Sequence, residues 1–249
     1  MTTQEGYFNL VASAAEDCFS PLTKMERDHD FIKIKVKERR VNFAHMKTLI
    51  IDCETRGQED LVEHFTTNIK APKTWKDKEK IEAYVVGAIK EAKSKMAVDT
   101  DYNEIIFIGV KEYEEEGKIL GLKEFADYLE ELRKENEVVK LVTFNGKSFD
   151  LPVIIKNGLK RKLDLPYYEL KQISRKYEVR TCKNYVHVDL MELIGDGNWR
   201  SLDTYAQIYL GKSKVEIDFL TCTDEELREH CLLDLQLTED LFNYFNPII

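Results

Sequence analysis

The chain has 249 residues with a formal net charge of −9, and its 43% hydrophobic and 33% charged residues exclude bulk disorder. No apolar run approaches the roughly 20 residues of a membrane helix, and no basic start followed by an apolar stretch indicates secretion. Five scattered cysteines without a C-x-x-C pair indicate a reducing compartment, so we expect a cytoplasmic protein.

The first 45 residues differ from the rest of the sequence. Ile32, Ile34 and Val36 alternate with lysines, which predicts a strand with one basic face. Met46 then stands directly before the clearest strand of the chain. We therefore expect the compact domain to cover residues 46–249, with residues 1–45 as an N-terminal extension or as a segment upstream of the true start.

Strands and helices alternate along the remaining sequence. Buried strands are predicted at Lys47–Asp52, Glu104–Val110, Val138–Phe144 and Tyr185–Leu190, with a hairpin partner at Lys118–Leu122. Helices are predicted at Lys76–Met96, Lys123–Asn136, Leu151–Leu159, Ser201–Leu210 and Asp224–Phe245. This order predicts a single α/β domain with a mixed sheet.

Charge is unevenly distributed along the chain. Residues Lys111–Glu137 have a local net charge of −5, whereas Ile155–Lys183 contain nine basic and three acidic residues. Two solvated helix faces of opposite sign would explain the pattern. The basic segment would equally suit a surface that follows a phosphate backbone.

Three short blocks carry side chains suited to metal chemistry. Asp52 and Glu54 end the first strand, where residues two apart point to the same side and like charges favour a cation between them. Asp150 follows a later strand in FNGKSFDLP, and His230 and Asp234 share one face of the last helix. Separately, these residues are also explained as solvent-facing acids, a helix cap and a surface pair.

The order of the blocks D-x-E, N-x-x-x-F-D and H-x-x-x-D resembles the DEDD (DnaQ-like) superfamily of 3′–5′ exonucleases. FNGKSFDLP is most similar to the exonuclease domains related to family-B DNA polymerases. The resemblance implies a ribonuclease H-like fold, an α/β mixed β-sheet flanked by helices. One departure concerns His230, which stands four residues before Asp234, where one subgroup has a tyrosine; the histidine subgroup places its histidine five residues before.

The resemblance also implies roles for individual residues. Asp52, Glu54, Asp150 and Asp234 would hold two Mg²⁺ or Mn²⁺ ions, with Asp52 bridging both. Glu54 and Asp234 would complete the coordination of the ion that activates water, and Asp150 would hold the ion at the leaving group. His230 would orient or deprotonate the attacking water. Asp189, which ends a strand between the second and third blocks, has no role in the pattern and is a further candidate.

Contacts to the substrate are expected around the second block and beyond it. Asn145 and Phe149 would lie beside the terminal nucleotide, and Lys147 would contact a phosphate. A basic run after Asp150 would follow the strand; it consists of Lys160, Arg161 and Lys162. The long stretch from Thr55 to Asn103 exceeds a minimal exonuclease core, and we expect it to shape substrate access.

Together these features predict a metal-dependent exonuclease that releases nucleoside 5′-monophosphates from the 3′ ends of single-stranded or duplex DNA. Such a protein would be cytoplasmic or nucleoid-associated, with nucleic acid rather than a membrane as its partner. The alternatives are an exoribonuclease and a non-catalytic nucleic-acid-binding module on the same fold. A metal site made of Cys222, His230 and Cys231 fits no standard zinc spacing, and we expect these cysteines in the core.

Overall fold

The structure is a computed structural model, which describes residues 46–135, 137–175, 181–195, 197–215, 217–219 and 221–246. The strand predicted at Ile32–Val36, and all of residues 1–45, lie outside this part of the chain. The described residues up to Tyr244 belong to one compact unit. The proposed boundary at Met46 therefore stays a prediction.

Within the described residues, six strands form one mixed sheet in the order β3-β2-β1-β4-β6-β5. They are β1 (Met46–Gly57), β2 (Asn103–Glu112), β3 (Gly117–Leu120), β4 (Val138–Thr143), β5 (Thr181–Cys182) and β6 (Tyr185–Asp189). β1 pairs antiparallel with β2 and parallel with β4, and β4 pairs parallel with β6. The antiparallel half and the parallel half of the sheet thus meet at β1.

Eight α-helices of the described residues flank the sheet. They are α1 (Val62–Thr66), α2 (Lys78–Val98), α3 (Leu122–Lys134), α4 (Asp150–Arg161), α5 (Tyr167–Ile173), α6 (Leu190–Gly195), α7 (Leu202–Leu210) and α8 (Asp224–Phe245). In the part of the chain that is described, none of the helices has the length and apolar character needed to cross a bilayer.

The core follows from the apolar patterns of strands and helices. Leu49, Ile50 and Ile51 are buried on β1, which is covered on both faces and therefore reads as a continuous apolar run. On α3 the buried residues recur every three or four positions, as one face of a helix requires; they are Leu122, Phe125, Ala126, Leu129 and Leu132. This face packs into the same cluster as Leu49 and Ile51 of β1.

The predicted α/β architecture with a mixed sheet is confirmed. The long elements lie where the periodicity predicted them, and α8 has the predicted bounds, Asp224–Phe245. Among the described residues, four short elements were not predicted, namely the helices α1, α5 and α6 and the two-residue strand β5. One or two turns of helix contain too few residues to show a period.

A buried ion pair fastens α8 to the sheet. Lys111 Nζ on β2 lies 3.2 Å from Glu239 Oε2 on α8, and both side chains are almost fully buried. The other carboxylate oxygen of Glu239 accepts a hydrogen bond from the backbone N–H of Glu114 at 2.8 Å. Tyr113 adds a hydrogen bond from its hydroxyl to Asn243 Oδ1 at 2.7 Å. These contacts fix the position of α8 along β2.

We predict that Lys111→Met lowers the free energy of unfolding by about 3 kcal/mol, because it leaves the Glu239 carboxylate buried without its cation. Lys123→Met is the control, since Lys123 pairs with Asp127 at 2.6 Å on the exposed face of α3. Breaking such an exposed pair costs less than about 1 kcal/mol. Urea unfolding measures both, and equal losses would contradict the anchoring role of Lys111.

Candidate active site

The parallel strands β1 and β4 direct two segments to one edge of the sheet. Their pairing runs from Met46 opposite Val138 to Ile50 opposite Val142. Beyond it, β1 continues with Asp52 and Glu54, while β4 ends and the loop of residues 144–149 leads into α4. The carboxyl ends of parallel strands are where α/β proteins place their sites. The first two predicted blocks are therefore neighbours in space.

Asp150 is the first residue of α4 and is only 2% exposed. Its Oδ1 accepts a hydrogen bond from the backbone N–H of Cys53 at 2.9 Å, which places the carboxylate between Asp52 and Glu54 along β1. The residue at the N-cap position is Phe149. The interpretation of Asp150 as a helix cap is therefore wrong, because its side chain bonds to β1 instead.

The third block lies on the buried face of α8. His230 and Asp234 are each 7% exposed, with His230 Nε2 3.8 Å from Asp234 Oδ2. The interpretation of this pair as a surface pair is therefore wrong. The His230 ring also packs edge-on against Phe219, with ring centroids 5.3 Å apart. Asp234 Oδ1 is buried and has no hydrogen-bond partner in the described structure.

Mutual repulsion marks the four acids as one cluster. Burial, followed by the charge of Asp234, raises the pKa of Asp52 to about 6. Burial and the charge of Asp52 raise the pKa of Glu54 to about 8. The same two causes hold the pKa of Asp150 well above its usual value. Burial also raises the pKa of Asp234. The cluster therefore concentrates negative charge that a cation would stabilise.

Lys214 is a site residue that the sequence analysis missed. Its ammonium group forms an ion pair with Asp234 Oδ2, and its charge lowers the pKa of Asp52, Glu54 and Asp234 against the effect of burial. The backbone N–H of Lys214 donates to Asp203 Oδ1 at 2.8 Å, which holds the loop in place. Lys214 lies between α7 and α8 in a segment without periodicity, so no sequence signal indicates it.

The pKa of His230 is lowered, whereas the pKa values of the acids are raised. Burial lowers the pKa of its imidazole, and the nearby Lys214 lowers it further, while the Asp234 carboxylate raises it. The ring therefore favours its neutral form. A neutral imidazole carries an unprotonated nitrogen that can accept a proton.

Asp189 positions the loop of the second block. Its carboxylate accepts hydrogen bonds from the backbone N–H groups of Asn145 at 3.0 Å and Lys147 at 2.9 Å. Gly146 lies between them, and a Cβ there would be 2.3 Å from Thr143 Oγ1, so only glycine fits. Asn145 itself has a φ of 68°, in the left-handed region. Asp189 thus acts on the loop backbone.

Lys147 and the basic run of Lys160, Arg161 and Lys162 were predicted to contact the substrate backbone. The Lys147 side chain is buried and its ammonium pairs with Glu192 at 2.5 Å, and its expected contact with a phosphate stays a prediction. Lys160, Arg161 and Lys162 lie at the far end of α4, about 15 Å from Asp150 at the helical rise of about 1.5 Å per residue. Lys160 donates to the carbonyl of Asp101 at 3.0 Å. A role of this run in following a strand stays a prediction.

A cavity of about 720 Å³ opens beside Glu54. Phe149, Ile106 and Phe219 supply part of its largely apolar wall, and α2 supplies another part. Pockets of roughly 300–1,000 Å³ are typical of small-ligand sites. Part of the stretch between Thr55 and Asn103 therefore lines the space next to Glu54, and its expected effect on substrate access stays a prediction.

One further side chain joins the cluster. Asp52, Glu54 and Cys231 each offer a metal-ligand atom, and these atoms lie within 4.8 Å of one another. The carboxylate oxygens suit Mg²⁺ or Mn²⁺. The unpartnered Asp234 Oδ1 is the kind of buried atom that such an ion would satisfy. The donor set therefore fits divalent cations.

Comparison with known proteins finds one matching family for this chain. The family described as "Predicted 3'-5' exonuclease related to the exonuclease domain of PolB" matches residues 82–235, more than half of the chain. The matched region contains Asp150, His230 and Asp234 and begins after Asp52 and Glu54. No curated protein matches the chain significantly.

Among solved structures, the chain is similar to the family B DNA polymerase from the hyperthermophilic archaeon Pyrobaculum calidifontis. The TM-score is 0.50 with 14% sequence identity, over 81% of this chain and 24% of that chain. The chain thus spans a minor part of the polymerase's length, and the likeness concerns the fold. The expected ribonuclease H-like fold and the resemblance to these exonuclease domains are confirmed.

We predict that Lys214→Met lowers the free energy of unfolding in EDTA by about 2 kcal/mol, because Asp234 loses its charged partner. Lys212→Met is the matched control, since Lys212 lies two residues away and pairs with Asp240 at 2.5 Å with its side chain about half exposed. Thermal and urea unfolding of both variants measure the difference. Equal stability of the two would show that Lys214 does not neutralise the cluster.

Proposed function

The chain belongs to the family of predicted 3′–5′ exonucleases related to the exonuclease domain of PolB, and on this premise we propose a metal-dependent exonuclease acting on DNA. It removes nucleotides from the 3′ ends of single-stranded or duplex DNA and releases nucleoside 5′-monophosphates. The observation that carries the proposal is the convergence of Asp52, Glu54, Asp150 and Asp234 from three separate segments.

The cluster supplies oxygen ligands for Mg²⁺ or Mn²⁺, two ions in the proposal. Asp52 lies centrally, because its charge contributes to the raised pKa of both Glu54 and Asp150. Asp150 is held on the Cys53 amide, and Asp234 keeps a buried oxygen without a partner. When bound, the cations supply a nucleophile from water at neutral pH and stabilise charge on the leaving oxygen.

His230 is the proton-handling group in this proposal. Its imidazole lies beside the Asp234 carboxylate, and packing against Phe219 restricts the ring. A histidine so placed orients the attacking water or takes its proton. It performs this role from the position that one subgroup of the superfamily fills with tyrosine.

The apolar cavity supports a nucleotide-sized substrate. Its lining includes Glu54, Phe149 and Phe219, so a base bound there would lie beside the Glu54 carboxylate. Aromatic side chains of this kind stack on any base, which suits an enzyme that removes successive nucleotides regardless of sequence.

The test is a nuclease assay with 3′- and 5′-labelled single-stranded and duplex oligonucleotides of DNA and RNA, in Mg²⁺, Mn²⁺ or EDTA. We expect stepwise loss of mononucleotides from the 3′ end of DNA, which EDTA and Asp52→Asn abolish. His230→Ala should lower the rate about 10²–10⁴-fold, the typical contribution of a positioned acid or base. Asp101→Asn, an exposed acid that pairs with Lys156 on the surface, is the control.

Each contrary result has a defined meaning. Faster degradation of RNA than of DNA would contradict the DNA preference and favour the exoribonuclease. Binding without cleavage in every metal would contradict the proposal and favour a non-catalytic module. Near-wild-type activity of Asp52→Asn would show that the carboxylate cluster is not the active site.

A further inference from the structure

Cys231 lies in the core, as the sequence predicted, and its sulfur is also next to an acid of the site. It is on α8, one residue after His230, and is fully buried. Its Sγ lies 3.6 Å from Asp52 Oδ2, to which the thiol donates a hydrogen bond. The sulfur is therefore within reach of any ion that binds Asp52 on that side.

The sheet is shaped to accept this sulfur. Gly109 on β2 stands directly opposite Asp52 in the β1–β2 pairing. A Cβ at Gly109 would lie 2.5 Å from Cys231 Sγ, closer than such contacts allow. Because glycine has no Cβ, position 109 leaves room for the thiol next to the Asp52 carboxylate.

Two independent observations indicate a cation at this position. Ligand atoms of Asp52, Glu54 and Cys231 lie within 4.8 Å of one another, a spacing that small side-chain rotations close around one ion. Asp234, on the next turn of α8, has a buried Oδ1 without a partner. Its charge raises the pKa of Asp52, Glu54 and Cys231, so it lies close to all three.

We propose that Asp52, Glu54 and Cys231 form a binding site for a thiophilic divalent cation of the zinc and cadmium type, which competes there with Mg²⁺. Mg²⁺ takes oxygen ligands and leaves sulfur alone, whereas Zn²⁺ and Cd²⁺ bind thiolate and carboxylate together. On binding, the Cys231 thiol gives its proton to solvent and its sulfur forms the metal bond. The proposal goes beyond the nuclease function, since it concerns binding in the absence of nucleic acid.

Cadmium provides a direct probe, because a cadmium–thiolate bond has an ultraviolet charge-transfer absorption that a cadmium–carboxylate bond lacks. We expect titration of the full chain with CdCl₂ to produce this band, and Cys231→Ser to abolish it. Cys182→Ser, which changes a cysteine on β5, is the matched control and should keep it. Circular dichroism establishes that each variant is folded.

Two further measurements connect the sulfur to the carboxylates. Asp52→Asn retains the thiol but should raise the Kd for Cd²⁺ about tenfold or more, as loss of a supporting ligand does. Excess Mg²⁺ should raise the apparent Kd of the wild type, since both ions need Asp52 and Glu54. The readout needs no substrate, so a chain without nuclease activity can still pass this test.

The contrary results are equally distinct. A charge-transfer band that persists in Cys231→Ser would assign the bound cadmium to another cysteine and overturn the proposal. Binding without the band would leave Cys231 outside the coordination shell. A Kd that neither Mg²⁺ nor Asp52→Asn changes would separate the thiol site from the carboxylates, and this too would overturn it.

Discussion

The repulsion among four carboxylates, of which Asp52 is half-buried and the other three are buried, is the constraint on which the site depends. Asp52, Glu54, Asp150 and Asp234 come from β1, the start of α4 and the buried face of α8, and burial and neighbouring charges raise their pKa values. Such a cluster opposes folding unless a cation offsets it. Lys214 supplies part of that positive charge from the protein itself, and divalent ions supply the remainder in the proposed enzyme.

The fold holds these charges together through contacts made away from them. The buried pair of Lys111 and Glu239 fixes α8 along β2, so that Asp234 stays over β1. Asp189 holds the loop before Asp150 through two backbone amides, and Asp150 in turn is bound to the backbone of Cys53. The stability of the scaffold thus offsets the unfavourable electrostatics of the site.

The sequence predicted the architecture, and the structure brings the four predicted acids together, for a physical reason. Long buried strands and the 22-residue helix α8 carry many periodic positions, and a site at the ends of strands follows from the order of elements. Partners in space carry no such signal. Lys214 pairs with Asp234, Lys147 pairs with Glu192, and the Cys231 thiol donates a hydrogen bond to Asp52. The spacing of residues along the sequence indicates none of these contacts.

Calorimetric titration with Mn²⁺ tests the central claim most directly, because it measures whether the carboxylates act as one cation site. We expect about two equivalents of Mn²⁺ bound per wild-type chain, with binding at least about tenfold weaker in Asp52→Asn. Asp101→Asn should bind like the wild type, since its acid lies on the surface. Equal Mn²⁺ binding by wild type and Asp52→Asn, or no binding by either, would contradict the claim.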